Sequence, residues 1–262
     1  GGHAMKASST SPDEALQGLL RELRLPGMSG YYASAIEQAE RQGRSFSQFL
    51  LSLLEVELSE RKRRRVDRFL RRSNLPSTKT LASLDRQRLP AKIRRILPSL
   101  CEGSFVRRGD NVLAFGLPGR GKTHLCAAIG HELVQQGYQV FFVPTFRLVQ
   151  RLLVAKKELE LDAELRRLDR FDVVILDDIG YVQQSRDEMA LLFTFLSERY
   201  ERRSVMLTSN VVFGEWDKIF KDPMTTAAAI DRLVHHCTIL EMSGKSMRVE
   251  AAKGREGSRA QK

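Results

Sequence analysis

Apolar residues recur every three or four positions through roughly the first 75 residues, the spacing of helices with one buried face. Ser11-Pro12-Asp13-Glu14 is a capping box with proline at the first helical position. It opens a helix that carries Leu16, Leu19, Leu20 and Leu23 on one face and ends near Pro26-Gly27. A second helix is expected from Ser29 to Gln42, with Tyr32, Ile36 and Ala39 inward and Gly43 as its stop. Ser45-Phe46-Ser47-Gln48 is another capping box. The long helix behind it runs to about Arg72, with Phe49, Leu50, Leu53, Leu54 and Leu58 apolar in its first half and Val66, Phe69 and Leu70 extending the stripe.

Beyond a linker-like stretch, Asn74 to Thr80, the pattern changes. A basic helix around Ala91 to Leu100 and a turn at Arg107-Arg108-Gly109-Asp110 lead into Asn111–Phe115, a short apolar run readable as a buried strand. Val140–Val143, Asp172–Asp178, Ser204–Asn210 and Thr238–Met242 read as further strands. Helical stretches separate them: His124 to Val134, Pro144-Thr145 to Lys156, Glu158 to Arg170, Asp187 to Arg202 and Thr225 to His236. Two helical segments in one connection exceed what a β-α-β crossover needs, so the second is taken as an insertion. Trp216 reads as a packing residue. The alternation predicts an α/β fold with an open, mostly parallel, five-stranded sheet and its ligand at the carboxyl ends of the strands. The boundaries that follow are a cloning scar at 1–4, a small all-helical N-terminal domain at 5–75, the sheet domain at 76–250 and a disordered basic tail at 251–262.

The chemistry lies at strand ends. Gly116-Leu117-Pro118-Gly119-Arg120-Gly121-Lys122-Thr123 fits G-x-x-x-x-G-K-[ST], with a strand before it and a helix after it, as a phosphate-cradling loop requires. Its glycines let backbone N–H groups form a nest for phosphate oxygens, and the helix N-terminus adds about half a positive charge. The nucleotide-binding set is Gly116, Pro118, Gly119, Gly121, Lys122, Thr123 and His124. Lys122 is placed to reach the β- and γ-phosphates of ATP, and the Thr123 hydroxyl to take one Mg²⁺ site. Asp172–Asp178 ends in two carboxylates: Asp177 for the metal, Asp178 to orient the attacking water. Asn210, at another strand end, lies where a side chain could touch the γ-phosphate or its water.

Charge adds a partner. The chain carries a formal +11, and residues 1–103 hold 19 Lys and Arg against 11 Asp and Glu. Arg61, Lys62, Arg63, Arg64, Arg65, Arg68, Arg71 and Arg72 put eight cations with one acid in twelve residues. Like charges at that density repel, and a polyanion relieves the cost. Few base-reading features accompany them, so backbone contacts with double-stranded DNA, sensitive to salt, are expected. Cys101, Cys126 and Cys237 lack metal-ligand spacing and read as reduced core residues of a cytoplasmic protein. His235-His236 is discounted as a metal pair, because adjacent helical positions point apart and no third ligand is visible. No apolar run reaches membrane-spanning length and no secretory leader is read.

These residues together resemble a known family. The order of the P-loop, Leu176-Asp177-Asp178-Ile179-Gly180, the Arg199–Ser204 stretch, Thr208-Ser209-Asn210, Asp222-Pro223 and Ala229–His235 is similar to AAA+ ATPases of the initiator and helicase-loader clade, and within it to the IstB-like transposition helper ATPases. Leu25-Pro26-Gly27-Met28 and the basic helix share the likeness, which spans roughly residues 15 to 250. The resemblance implies a bacterial, insertion-sequence-encoded ATPase that forms homo-oligomers on duplex DNA with ATP and Mg²⁺ and recruits or stimulates a cognate transposase. It makes Asn210 the first sensor, Arg232 the arginine finger supplied to a neighbouring subunit, and Arg248 a second sensor. Asp178 stands where many AAA+ proteins have Glu, which implies slow, assembly-dependent hydrolysis, and the chain after Glu250 is too short for a helical lid. A replicative helicase loader similar to DnaC shares every ATPase residue and is the alternative; a nucleotide-gated scaffold with little hydrolysis is a third reading.

Overall fold

The structure, a computed structural model, describes residues 11–180, 185–211, 215–216 and 223–242. Its contacts divide the chain into two compact units, Gly1–Asp67 and Arg68–Lys262, with the division inside a helix.

The first unit holds α1 (Pro12–Glu22), α2 (Pro26–Gln42) and most of α3 (Phe46–Ser73). Both capping boxes form. Glu14 N–H donates to Ser11 Oγ at 3.2 Å while Ser11 N–H donates to Glu14 Oε2 at 3.1 Å. Gln48 N–H and Ser45 N–H make the same reciprocal pair with Ser45 Oγ and Gln48 Oε1 at 3.3 and 2.9 Å. Helix α2 starts at Pro26, earlier than Ser29, because its first amides have a partner outside the helix. Gly27 and Met28 N–H donate to Glu57 Oε2 on α3 at 2.8 and 3.2 Å. A Cβ on Gly27 would lie 2.9 Å from that oxygen, so only glycine lets α2 sit down on the carboxylate. Burial pushes the Glu57 carboxyl up, but Arg61 and the two amides outweigh it and hold it below the usual range.

The core of this unit is small: Leu20, Tyr32, Ala35 and Leu53, with Leu25, Met28, Tyr31 and Phe49 against them. Ile36, expected inward, is exposed, as are Leu16, Leu19 and Leu23 of the first apolar face and Leu50, Leu54 and Leu58 of the third helix. Helical spacing found the apolar stripe correctly; the three helices share a seam too narrow to cover it.

The second unit continues with a 3₁₀ turn at Arg86–Arg88, α4 (Ala91–Glu102), α5 (Ser104–Arg108), β1 (Asn111–Phe115), α6 (Lys122–Gln135), β2 (Val140–Pro144), α7 (Thr145–Lys157), α8 (Leu161–Leu168), β3 (Val173–Asp177), α9 (Arg186–Arg199), β4 (Ser204–Ser209), α10 (Pro223–Val234) and β5 (Cys237–Glu241). The strands form one sheet in the order β2-β3-β4-β1-β5, and every pairing is parallel. Side chains alternate between its faces. Leu113 and Phe115 of β1, Val174 and Leu176 of β3, and Val205 and Leu207 of β4 join Leu148 and Leu152 of α7, Leu192 and Phe195 of α9, and Leu233 of α10 in one core. Ile175 points the other way, toward Gly130 of α6, and α4 packs outside α6. Trp216 is fully buried, its indole N–H donating to Val211 O at 3.1 Å, as a packing residue should.

The linker-like stretch is docked. His131 Nε2 lies 3.1 Å from Pro76 O, and His124 Nε2 lies 3.1 Å from both Thr80 O and Ser83 Oγ. Seven residues apart on α6, the two imidazoles share a face and pin residues 76–83 along it. Two buried polar residues lock the opposite, amino-terminal end of the sheet. Arg199, 2% exposed, donates to Leu168 O, Phe171 O, Asp172 O and Ser204 O at 2.9–3.3 Å, tying the entrances of β3 and β4 together. Burial lowers its guanidinium to about 10, still protonated at neutral pH. Asn111, first residue of β1, accepts from Val205 N–H at 2.9 Å and donates to Leu233 O and Arg232 O at 3.3 and 3.5 Å.

Candidate nucleotide site

β1 ends at Phe115, and the loop behind it closes onto the start of α6. Gly119 and Gly121 take φ of 78° and 85°, conformations that a side chain resists, and so turn the loop's amides inward ahead of the helix. Lys122, the first residue of α6, is buried, and its ammonium donates to Gly116 O at 2.5 Å, Leu117 O at 3.0 Å and Asn210 Oδ1 at 2.5 Å. A cavity of about 280 Å³ opens here, lined by Pro118, Gly119, Gly121, Lys122, Thr123 and His124 from the loop and α6, Asp178, Thr208 and Asn210 from strand ends, and Lys79 and Arg120.

The strand ends are wired to one another. Thr208 Oγ donates to Asp177 Oδ1 and accepts from Asp178 N–H, both at 2.8 Å. Asn210 Nδ2 donates to Asp178 Oδ1 at 2.9 Å while its carbonyl holds Lys122. Thr145 Oγ donates to Asp177 O at 3.0 Å. Asp178 sits at φ 63°, in the left-handed region a non-glycine residue rarely takes. Backbone strain of this kind persists only where its surroundings over-determine it, and it concentrates at functional sites. It turns the carboxylate from the strand into the cavity.

The site fits a nucleoside triphosphate. An amide nest, a buried ammonium surrounded by oxygens and a helix N-terminus converge on one cavity. Thr123 lines the cavity and Asp177, whose Oδ1 accepts from Thr208, stands behind that lining; the two would supply oxygen donors of the kind Mg²⁺ takes. Cys126, fully buried below the loop, is held protonated by burial first and by Asp177 second. Burial also pushes Cys101 up to about 11, and raises Cys237.

Sequence reasoning missed three contributors: Lys79, Arg120 and Thr208. Arg120 lies inside the motif at an unspecified position. Thr208, near the end of β4, precedes Asn210 by two and lines the same cavity. Lys79 was hidden in the supposed linker.

The other expected residues lie elsewhere. Arg232 does not line the cavity; its guanidinium carbon stands 4.7 Å from the Phe193 ring centroid and its Nη1 donates to Ala228 O at 3.2 Å. Arg248 and Asp222 fall outside the described residues. The basic run is less naked than its own twelve residues imply. Glu57 takes Arg61 at 2.8 Å, and Glu60 takes Arg63 and Arg64 at 2.8 and 2.7 Å. Hydrogen bonds from those two arginines hold the Glu60 carboxyl down at about 2. The acids sit one turn upstream, just outside the counted stretch. Lys62, Arg65, Arg71 and Arg72 make no ion pair among the described residues, and Arg68 stacks on Phe69 at 5.6 Å.

The profile of the IstB-like ATP binding protein family matches residues 18–254. The chain belongs to that family. A Sinorhizobium fredii relative, named for an insertion sequence and for ATP binding, is 44% identical over 95% of this chain and 84% of its own length. The corresponding IS21 protein of Pseudomonas aeruginosa is 38% identical over 90% of this chain and 89% of its own. Among solved structures, DnaI superposes with a TM-score of 0.54 at 21% identity, over 65% of this chain and 96% of its own. The initiator DnaA, bound to AMPPCP and single-stranded DNA, gives 0.56 at 17%, over 71% and 56%. The IstB-like chain therefore has the AAA+ P-loop fold of the initiators and loaders, after an N-terminal helical region, and belongs to a family of ATP-binding proteins. No helix among its described residues is long and apolar enough to cross a membrane.

Proposed function

We propose that this chain is an ATPase that assembles on duplex DNA and serves the transposase of an insertion sequence. The observation that carries the proposal is the chain of contacts from Lys122 through Asn210 to Asp178. It joins the residue that holds the γ-phosphate to the residue that orients water through a single side chain able to sense both. ATP phosphates take over the Lys122 donors now spent on Gly116 O and Leu117 O, and Mg²⁺ is held by Thr123 and Asp177. Asp178, aimed into the cavity, orients the water. The short aspartate reach makes turnover slow.

The position of Arg232 supports assembly. Its carbonyl is bonded by Asn111, at the first residue of β1, whereas the phosphate loop follows the last. The strand between spans about 13 Å at 3.3 Å per residue. Arg232 thus belongs to a different end of the unit from the site it is matched with, which supports delivery to a neighbouring copy. The leucines left exposed on the first unit add apolar surface that a self-associating protein covers.

DNA contact is supported by Lys62 and Arg65 in the first unit and, in the second, by Arg68, Arg71 and a cleft of about 470 Å³ lined by Arg72, Arg151, Arg167, Arg170, Asn74 and Gln139. The names of the relatives favour a transposition helper over a helicase loader. Phosphate release with and without duplex DNA tests the proposal. Turnover that rises with DNA and protein concentration, and disappears with nucleotide binding in Lys122→Ala, is expected. Hydrolysis indifferent to both DNA and concentration would overturn it, and binding without hydrolysis would leave only the gated scaffold.

A further inference from the structure

Helix α10 ends at Val234, so His235 and His236 lie in the turn that leads to β5. Freed from helical geometry, their rings lie 4.3 Å apart, edge to face. The third group comes from the turn between α9 and β4, where Glu201 takes φ 55°. Its Oε1 lies 3.8 Å from His235 Nδ1 and 3.8 Å from His236 Nε2. One ligand atom from each of the three residues falls within 4.8 Å of the others, and all three side chains are exposed. No other such cluster occurs among the described residues.

We propose that Glu201, His235 and His236 form a binding site for a divalent transition-metal ion of the zinc type. Two imidazoles and one carboxylate are the donor set of zinc sites that keep a water in the fourth position, and imidazole selects zinc, cobalt or nickel over Mg²⁺. Tetrahedral zinc with bonds of 2.0–2.2 Å separates its ligands by roughly 3.4 Å. The separations here are 3.8 Å from Glu201 to each imidazole and within 4.8 Å throughout, so the three exposed side chains must rotate to close on the ion.

One group must move. The Tyr200 hydroxyl shares a 3.0 Å hydrogen bond with His235 Nδ1, the nitrogen nearest Glu201. Metal binding needs that lone pair, so Tyr200 gives up the imidazole and keeps the hydrogen bond it already makes with Glu201. The parallel sheet brings the ligands together: β4 and β5 flank β1, and the turns that feed them meet at the amino-terminal edge. Asn111 bonds the Arg232 and Leu233 carbonyls at the same edge, and its own N–H donates to His236 O at 2.8 Å. A bound ion staples the β4 turn to the end of the helix that carries Arg232, far from the phosphate loop. Its effect on assembly rests on the reading of Arg232 above; metal binding does not.

The test is calorimetric titration of the full chain with ZnCl₂, with Mg²⁺ as control. His3→Ala is the background, because the terminal Gly1-Gly2-His3 can itself chelate metal. One Zn²⁺ per chain is expected, weakened at least tenfold by His236→Ala and by Glu201→Gln, with circular dichroism confirming that the variants fold. Co²⁺ should give a tetrahedral visible absorption that both variants lose. No Zn²⁺ binding by the background protein, or equal binding by the His235→Ala/His236→Ala double variant, overturns the site. Intact Zn²⁺ binding without any change in assembly leaves the site standing and counts against the role given to Arg232.

Discussion

The two units distribute polarity in opposite ways. The sheet unit buries polar groups and ties them into networks: Lys122 among oxygens, Arg199 among four carbonyls with only its Nε left without a hydrogen bond, Asn111 between a helix end and a strand, Thr208 between two aspartates. The helical unit buries one comparable group, Glu57, and leaves a row of leucines and unpaired cations at its surface. Interlocked buried polar groups fix a unique geometry, as chemistry on phosphate demands. Exposed apolar and cationic side chains instead await a covering partner. One unit carries a preorganised site; the other, on the proposed function, is finished by association.

Five measurements would break or sharpen that contrast. The largest effect should come from Arg232→Ala, which leaves the cavity untouched yet should cost about 10³–10⁵ in hydrolysis by the DNA-bound assembly. Normal single-turnover hydrolysis by the assembled variant would remove the finger and make the ATPase unit complete alone. Asp178→Asn should retain ATP binding and assembly while turnover falls by about 10²–10⁴; fluorescent-nucleotide titration beside phosphate release separates the two. Arg199→Met removes donors from four buried carbonyls and should cost about 3 kcal/mol, lowering the melting temperature by about 6–12 °C. An unchanged melting curve would show that this end of the sheet needs no polar lock. For DNA, replacing Arg68, Arg71 and Arg72 by Gln should flatten the slope of log K against log salt by about 2.7, whereas Arg63→Gln, already committed to Glu60, should change it little. Equal effects would mean that the acid pairs open on binding.

The smallest effect concerns pH. The folded Glu57 and Glu60 carboxyls lie below their ordinary value of 4.5, Glu60 at about 2. Depressed carboxyls contribute stability that is fully present above the unfolded value and fades as pH falls through the folded one. The helical unit should therefore loosen between about pH 4.5 and 2, and Glu57→Gln should reduce that dependence, as followed by helical circular dichroism.

How far the sequence reached differs between the units for the same reason. Residues of the phosphate loop, Asp178 and Asn210 could be brought to one cavity from the sequence because phosphate chemistry dictates residue types at fixed positions on strand ends. The parallel sheet was legible because doubly buried strands are continuous apolar runs. Arg199 was not, since an arginine near a helix end reads as surface until the carbonyls of two neighbouring strands converge on it. Leu16, Leu19 and Leu23 share a face with buried Leu20 yet are exposed, because periodicity shows a stripe but not the width of what covers it. The arginine run looked unpaired because Glu57 and Glu60 precede the window that defines it. His235 and His236 were dismissed on helical geometry that stops one residue earlier, and Glu201 reaches them only through the strand order.

The position of Asn111 has one more consequence. It clasps the Arg232 segment at one end of β1 while the phosphate loop leaves the other, so a single short strand separates two unlike contact surfaces. Given the role proposed for Arg232, copies must join head to tail, because the end that offers the arginine can never meet its own kind. Such contacts are heterologous and generate rings or open helices rather than two-fold pairs. An assembly built this way has a direction, and it would impress that direction on a duplex whose own backbone has none.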